Sequence, residues 1–453
     1  MNSVESINRR LVMRQAWPLI LANCSVPLLG LADTAVLGNL GTLYDLGAIA
    51  LGALIFSFVY WGFGFLRMGT TGFVAQANGA GDSAEVRAVV FRSLLLAAAI
   101  GVVLTALQIP LATAAFGLLS GGDQVEATAR TYFELRIWGA PATLGTFVLT
   151  GALIGLGESR KLLAVQLFLN LLNIVLDVYF AGTLQMGARG IAIGTLLAEW
   201  LAFGFALLLV WRLLVSRHKD PEPFLVPGRL SSRERLLAIL SANGDIMVRT
   251  ILLVFSFAWF TNQSAIHGDE VLAANHILLQ LISFSAFFLD GFAFVGESLV
   301  GQATGARNLS LFDRAVRRTT ELAFITAVLL AFIVLLLGRQ IIAGLTDIAS
   351  VQALAGGMLI YAGIYIVLSF AAFQLDGVFI GATFTVQMRN ASIIAVAFFL
   401  VAWWLLASRF GVAGLWWSFI IYVCARAAAL LIYYPGLRRS LNREPTQALG
   451  VRQ

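Results

Sequence analysis

Twelve apolar stretches, each about 20 or more residues long, run through this chain, centred roughly on residues 27, 58, 103, 144, 173, 200, 251, 284, 330, 368, 399 and 424. A stretch of that length spans the hydrocarbon core of a bilayer as a helix. Lipid offers no hydrogen bonds, so a spanning segment must satisfy its own backbone as a helix or within a closed barrel. The runs are continuous rather than alternating, which favours helices. Of the 453 residues 59% are hydrophobic and 12% charged, about half the charged share of an ordinary soluble domain. The expected fold class is therefore an all-α integral membrane protein with twelve transmembrane helices and no soluble domain.

The net charge of +6 is distributed as membrane topology requires and does not point to nucleic acid. If every stretch crosses and the N-terminus is cytoplasmic, the basic residues concentrate on that side, among them Arg9, Arg10, Arg14, Arg87, Arg92, Arg160 and Lys161, the run from Arg212 to Arg235, Arg317, Arg318, Arg438 and Arg439. The other side keeps few, such as Arg130, Arg189, Arg339 and Arg409. This positive-inside bias places both termini in the cytoplasm. A bacterial inner membrane is the expected address. The first apolar run carries an acid and two prolines and has no small-residue cleavage site, so it does not read as a removable signal. Cys24 and Cys424 lie in apolar runs, and His218, His267 and His276 form no metal-ligand pattern. No metal, cofactor or enzymatic nucleophile is expected.

The chain repeats itself. QANGAGD at 76–82 returns as QATGARN at 302–308, and LTGALIG at 149–155 as LDGVFIG at 375–381, both 226 positions later. Two separate motifs sharing one large offset indicate a duplication. Six crossings return a chain to its starting side, so the halves are predicted to be parallel repeats. The polar, proline-bearing stretch 216–232 separates an N-terminal lobe, 1–215, from a C-terminal lobe, 233–453. The acids are not duplicated. At the same offset Asp33 meets Trp259, Asp177 meets Trp403 and Asp376 meets Thr150, with the register around these helices open by a few residues.

Acids inside membrane helices are the chemical signal. A carboxylate near the centre of such a helix costs about 2.5–3.5 kcal/mol on insertion scales. The first apolar run holds Asp33 with Pro18 and Pro27, and proline removes a backbone donor and bends a helix. In the fifth run Asn173 and Asp177 are four apart and share a face. Both runs leave the cytoplasmic side, so Asp33 and Asp177 fall at similar depth, and Thr195 enters the sixth run near that depth. Two carboxylates, an amide and a hydroxyl make a proton or cation site, with a polar network tying helices together as the bland alternative. The C-terminal half offers Asp245, Asp290 and Asp376 as a cation or cavity site. Asp245 and Arg249, four apart, read as a helical ion pair. Glu199 resembles Asp290 in having no evident local partner, and Arg426 likewise.

ADTAVLGNLG at 32–41, the paired Q-x-x-G-A loops and NIVLD at 173–177 resemble the multidrug and toxic compound extrusion (MATE) family. LDGVFIGAT at 375–383 and NGDIMVRT at 243–250 resemble its DinF-like branch. The resemblance covers nearly the whole chain. It implies a V-shaped pair of six-helix lobes and a secondary antiporter that exports organic, often cationic, compounds by alternating access. It implies a proton-linked network at Asp33, Asp177, Asn173 and Thr195, and a bend of the first helix at Pro18. Other members place a cation site in the second lobe, where Asp376 matches one acid. Ala372 stands where a tyrosine is often found, which favours protons over sodium. The implied partners are small organic substrates and the lipid bilayer, with a monomer expected. The rivals are a sodium-coupled exporter and a lipid-linked precursor flippase, for which the buried acids are the wrong charge.

Overall fold

The computed structural model describes residues 7–40, 42–118, 122–218 and 223–441. The side chains at 28, 29, 31–33, 38–40 and 43 are not among those described, so the carboxylate of Asp33 lies outside them. The described residues are almost all helical and none is in a strand. The helices are α1 (Arg9–Leu40), α2 (Leu43–Gly62), α3 (Phe65–Gly79), α4 (Ser83–Ala106), α5 (Gln108–Leu118), α6 (Asp123–Arg136), α7 (Ala140–Gly155), α8 (Ser159–Asp177), α9 (Gly187–Arg217), α10 (Pro227–Leu230), α11 (Arg233–Ile266), α12 (Asp269–Gly305), α13 (Leu309–Leu345), α14 (Ala349–Gly381) and α15 (Thr385–Ser440).

Among the described residues, 10 helical stretches are long and apolar enough to cross a membrane. One of them, α15, holds the two runs centred on 399 and 424. It breaks at Gly411, where φ is 55° and ψ −130°. The remaining predicted crossing, around residue 27, lies in α1. The all-helical class and the crossing count agree with the sequence. Helices α2 and α3 form one crossing interrupted by a tight turn, with Phe63 N–H on the Tyr60 carbonyl at 3.0 Å and Gly64 N–H on the Trp61 carbonyl at 3.2 Å.

The 226-residue offset is a property of the backbone. Left-handed φ values recur in pairs at Gly81 and Arg307, Gly157 and Thr383, and Gln185 and Gly411. Asp82 caps α4 by accepting from the Glu85 N–H, and Asn308 caps α13 by accepting from the Leu311 N–H. Thr42 and Gly268 stand at the N-caps of α2 and α12. The repeat motifs also face each other. A Cβ on Gly79 would strike the Gln302 carbonyl, and a Cβ on Gly305 would strike the Gln76 carbonyl. Glycine is required at both positions because two backbones approach within the space a side chain needs.

The chain forms two compact units. One holds Gly244–Gln453, the chain up to Ile20 and Ala75–Gly81. In it Arg9 pairs with Glu321 at 3.1 Å, and Gln76 donates to the Gly381 carbonyl and the Thr383 hydroxyl, both at 3.0 Å. The other holds Leu21–Val74 and Asp82–Asn243. There the segment between α9 and α11 lies against α4. Arg87 donates to the Phe224 carbonyl at 2.6 Å and Arg92 to the Arg229 carbonyl at 3.3 Å, while Arg229 pairs with Asp82 at 2.5 Å. Both α1 and α11 are divided between the units, after Ile20 and after Asn243.

Candidate functional site

Helix α8 carries a polar stripe through an otherwise apolar segment. Gln166, Asn170, Asn173 and Asp177 follow at spacings of four, three and four, which is one helical face. Gln166 donates to the Asn170 carbonyl oxygen at 3.0 Å, and Asn170 donates to the Ser25 carbonyl of α1, also at 3.0 Å. Asn173 donates to the Thr195 hydroxyl of α9 at 3.1 Å. Asn173 and Asp177 are both 0% exposed and Thr195 is 3% exposed. The stripe therefore links α1, α8 and α9 within one unit. The amide oxygen of Asn173 is buried and accepts no hydrogen bond. Such an atom is costly unless a proton donor reaches it.

Asp177 sits where two local features admit it. Gly194 on α9 leaves room, because a Cβ there would fall on Asp177 Oδ1. Immediately after Asp177 the helix widens to a π-helix over Val178–Thr183, with the Leu184 N–H reaching the Tyr179 carbonyl at 3.0 Å. A π segment inserts an extra residue into the helical ladder and is frequent at functional positions. Pro18 lies two residues before α1 passes from one unit to the other. It withholds the N–H that would close on the Arg14 carbonyl.

The acids of the C-terminal half are distributed differently. Asp376 on α14 accepts from Arg249 of α11 and from Arg426 of α15, the latter at 2.5 Å. Asp245 accepts from Arg389 at 2.8 Å and from the Thr385 hydroxyl at 2.9 Å. The Asp245–Arg249 pair read from i, i+4 spacing does not form. Each takes a partner from a distant helix, because a desolvated charge gains more from an opposed charge across a helix interface than from a surface-type helical pair. Arg426, without a visible partner in the sequence, has Asp376 and lies 5.8 Å from the Tyr422 ring. Asp290 is half-buried on α12, and Glu199 lies 3.6 Å from Arg136. Asp245 and Asp376 thus hold separate basic partners and do not converge. Among the described residues no group of His, Cys, Asp or Glu is placed to hold a metal.

Sequence reasoning did not single out Gln166, Asn170 or Ser25. The four-three-four spacing of amides and acid on α8 was the available signal for the first two. Ser25 acts through its carbonyl, which no sequence reports.

A family model described as MatE matches residues 18–179 and again 246–405, once in each repeat. The chain belongs to the MatE family. It is a membrane transporter rather than an enzyme. DNA damage-inducible protein F of Escherichia coli (strain K12) is 37% identical over 415 residues, covering 92% of this chain and 89% of the relative. The probable multidrug resistance protein NorM of Thermotoga maritima is 24% identical over 458 residues, with 98% and 96% covered. A solved MOP superfamily transporter from Pyrococcus furiosus superposes with a TM-score of 0.84 at 20% identity, covering 98% of this chain and all of the other.

Proposed function

We propose that this MatE protein is a multidrug exporter of a bacterial inner membrane, both termini cytoplasmic, that exchanges organic compounds for protons by alternating access. The observation that carries the reading is the fully buried set Asp177, Asn173 and Thr195, with an open acceptor on Asn173. Asp33 is its second carboxylate. Two arguments support that pairing. Counted from the Ser25–Asn170 bond, Asp33 lies eight residues along α1 and Asp177 seven along α8. At 1.5 Å per residue these are advances of about 12 and 10.5 Å, and a parallel course of α1 and α8 would put positions 33 and 177 at one depth. The repeat supports the same pairing, since the counterparts at the 226-residue offset, Trp259 and Trp403, touch, with ring centroids 5.0 Å apart.

In this mechanism substrate and protons compete for the α1–α8–α9 face. A protonated carboxyl at 177 supplies the donor that the Asn173 oxygen lacks, and protonation rearranges the contacts of α1. Pro18, with no backbone donor to lose, is where α1 bends to close the pocket and expel the substrate. Each pH unit of gradient contributes about 1.4 kcal/mol per proton. Each 100 mV adds about 2.3 kcal/mol per charge moved. Protons are favoured over sodium because Asp245 and Asp376 are already engaged by fixed guanidinium groups. The name of the T. maritima relative, probable multidrug resistance protein NorM, fits a multidrug exporter.

The test is substrate transport by purified protein in proteoliposomes under separately imposed pH and sodium gradients. A pH gradient alone should drive uptake. Uptake driven by sodium alone, with no response to pH, refutes the proton reading.

A further inference from the structure

The two repeats keep one backbone and fill it with opposite chemistry. The N-caps at 42 and 268, and the left-handed pairs at 157 and 383 and at 185 and 411, fix the register through the helices that carry the acids. Positions 33, 173, 177 and 195 therefore correspond to Trp259, Phe399, Trp403 and Ile421. Three of these four polar positions are aromatic in the other repeat. Phe399 and Phe419 are fully buried and join Tyr422, Tyr365 and Phe260 through ring contacts of 4.6–6.0 Å. That part is packed core.

Trp259 and Trp403 differ from the core they cap. Both are half-buried rather than buried. Their rings meet edge to face at 90° with centroids 5.0 Å apart, and Phe255 adds a third ring 5.7 Å from Trp259. Both indole N–H groups are shielded from solvent and have no acceptor. A tryptophan withdrawn from solvent normally finds a partner for its N–H. Here two adjacent ones do not, at the positions where the other repeat carries its acids.

We propose that Trp259 and Trp403 form a substrate-contact site of the C-terminal repeat for planar aromatic cations that also carry an acceptor oxygen. The half-buried rings take the aromatic plane and its charge, and the indole N–H groups donate to the oxygen. The C-terminal repeat thereby adds an aromatic contact to the substrate, while the N-terminal repeat holds the carboxylates that exchange protons. This rests on the transport reading above, and the two fail separately in the test.

The experiment measures equilibrium binding of rhodamine 6G, a planar cationic dye with ring and ester oxygens, to the full chain in nanodiscs by fluorescence anisotropy. Trp403→Leu and Trp259→Leu should each weaken binding about tenfold. Trp→Phe at either position keeps a ring and removes the donor, so it should weaken binding by a smaller factor, about threefold. Wild-type affinity in both Leu variants overturns the site. Should a Leu variant fail to fold, the Phe variants decide, since unchanged affinity in both overturns it. Asp177→Asn, assayed in parallel, should lose the pH response of rhodamine 6G binding. If it keeps the pH response while the tryptophan variants lose binding, the proton reading fails and the aromatic site stands.

Discussion

The carboxylate of Asp376 balances two buried guanidinium groups, and this asymmetry fixes an order of stabilities. Arg249, Arg426 and Asp376 are 8%, 5% and 6% exposed, so none of the three is relieved by water. Asp376→Asn leaves two cations facing each other with no counter-charge. Removing one partner of a buried pair typically costs about 3–5 kcal/mol, and here both arginines lose theirs, so the upper end of that range or beyond applies. Arg249→Met removes one cation and leaves a one-to-one pair between Arg426 and Asp376, while the methionine retains apolar volume. Its cost should be about 1.5–3 kcal/mol, that of a lost hydrogen bond to a charged group. The assay is reversible unfolding in micelles or bilayers, or steric trapping where unfolding is not reversible. Asp376→Asn should be at least 2 kcal/mol, roughly, less stable than Arg249→Met. Adding Arg249→Met to Asp376→Asn should recover part of the loss, because it removes one uncompensated charge. If Asp376→Asn is no more destabilising than Arg249→Met, the triad is not held together by charge.

Other consequences are local. Gly79→Ala and Gly305→Ala each place a methyl group against a facing carbonyl. Each should cost about 1–3 kcal/mol in unfolding free energy, and by symmetry the two values should be similar. Arg307→Gly relieves a left-handed backbone at φ 51°, and should stabilise by about 1 kcal/mol in the same assay. Gly194→Ala pushes a Cβ onto Asp177 Oδ1. It should impair pH-driven transport in proteoliposomes while the far-ultraviolet helical signal is kept.

What the sequence made legible follows from range. Apolar length is summed along the chain, so the crossings were readable, including the two within α15 that meet at Gly411. The duplication was readable because its glycines are demanded by backbone approach, and that demand is written into QANGAG and QATGAR. At Arg307 and Thr383 the same left-handed turn carries non-glycine residues, so φ there was invisible without the repeat. Ion pairing was read least well. Local spacing offered Arg249 to Asp245, whereas the fold supplies Asp376 from 127 residues away. The π-helix after Asp177 had no sequence signal. The polar face of α8 was half visible, with Asn173 and Asp177 prominent and the Asn170–Ser25 link to α1 hidden in a backbone carbonyl.

The central claim is that substrate and protons compete for carboxylates in the N-terminal repeat. It is tested most directly by counting protons released into a weakly buffered solution when rhodamine 6G saturates the purified protein near neutral pH. Wild-type protein should release at least about one proton per substrate bound, Asp177→Asn should release fewer, and Asp33→Asn/Asp177→Asn none. Equal proton release by the wild type and the double variant would contradict the account.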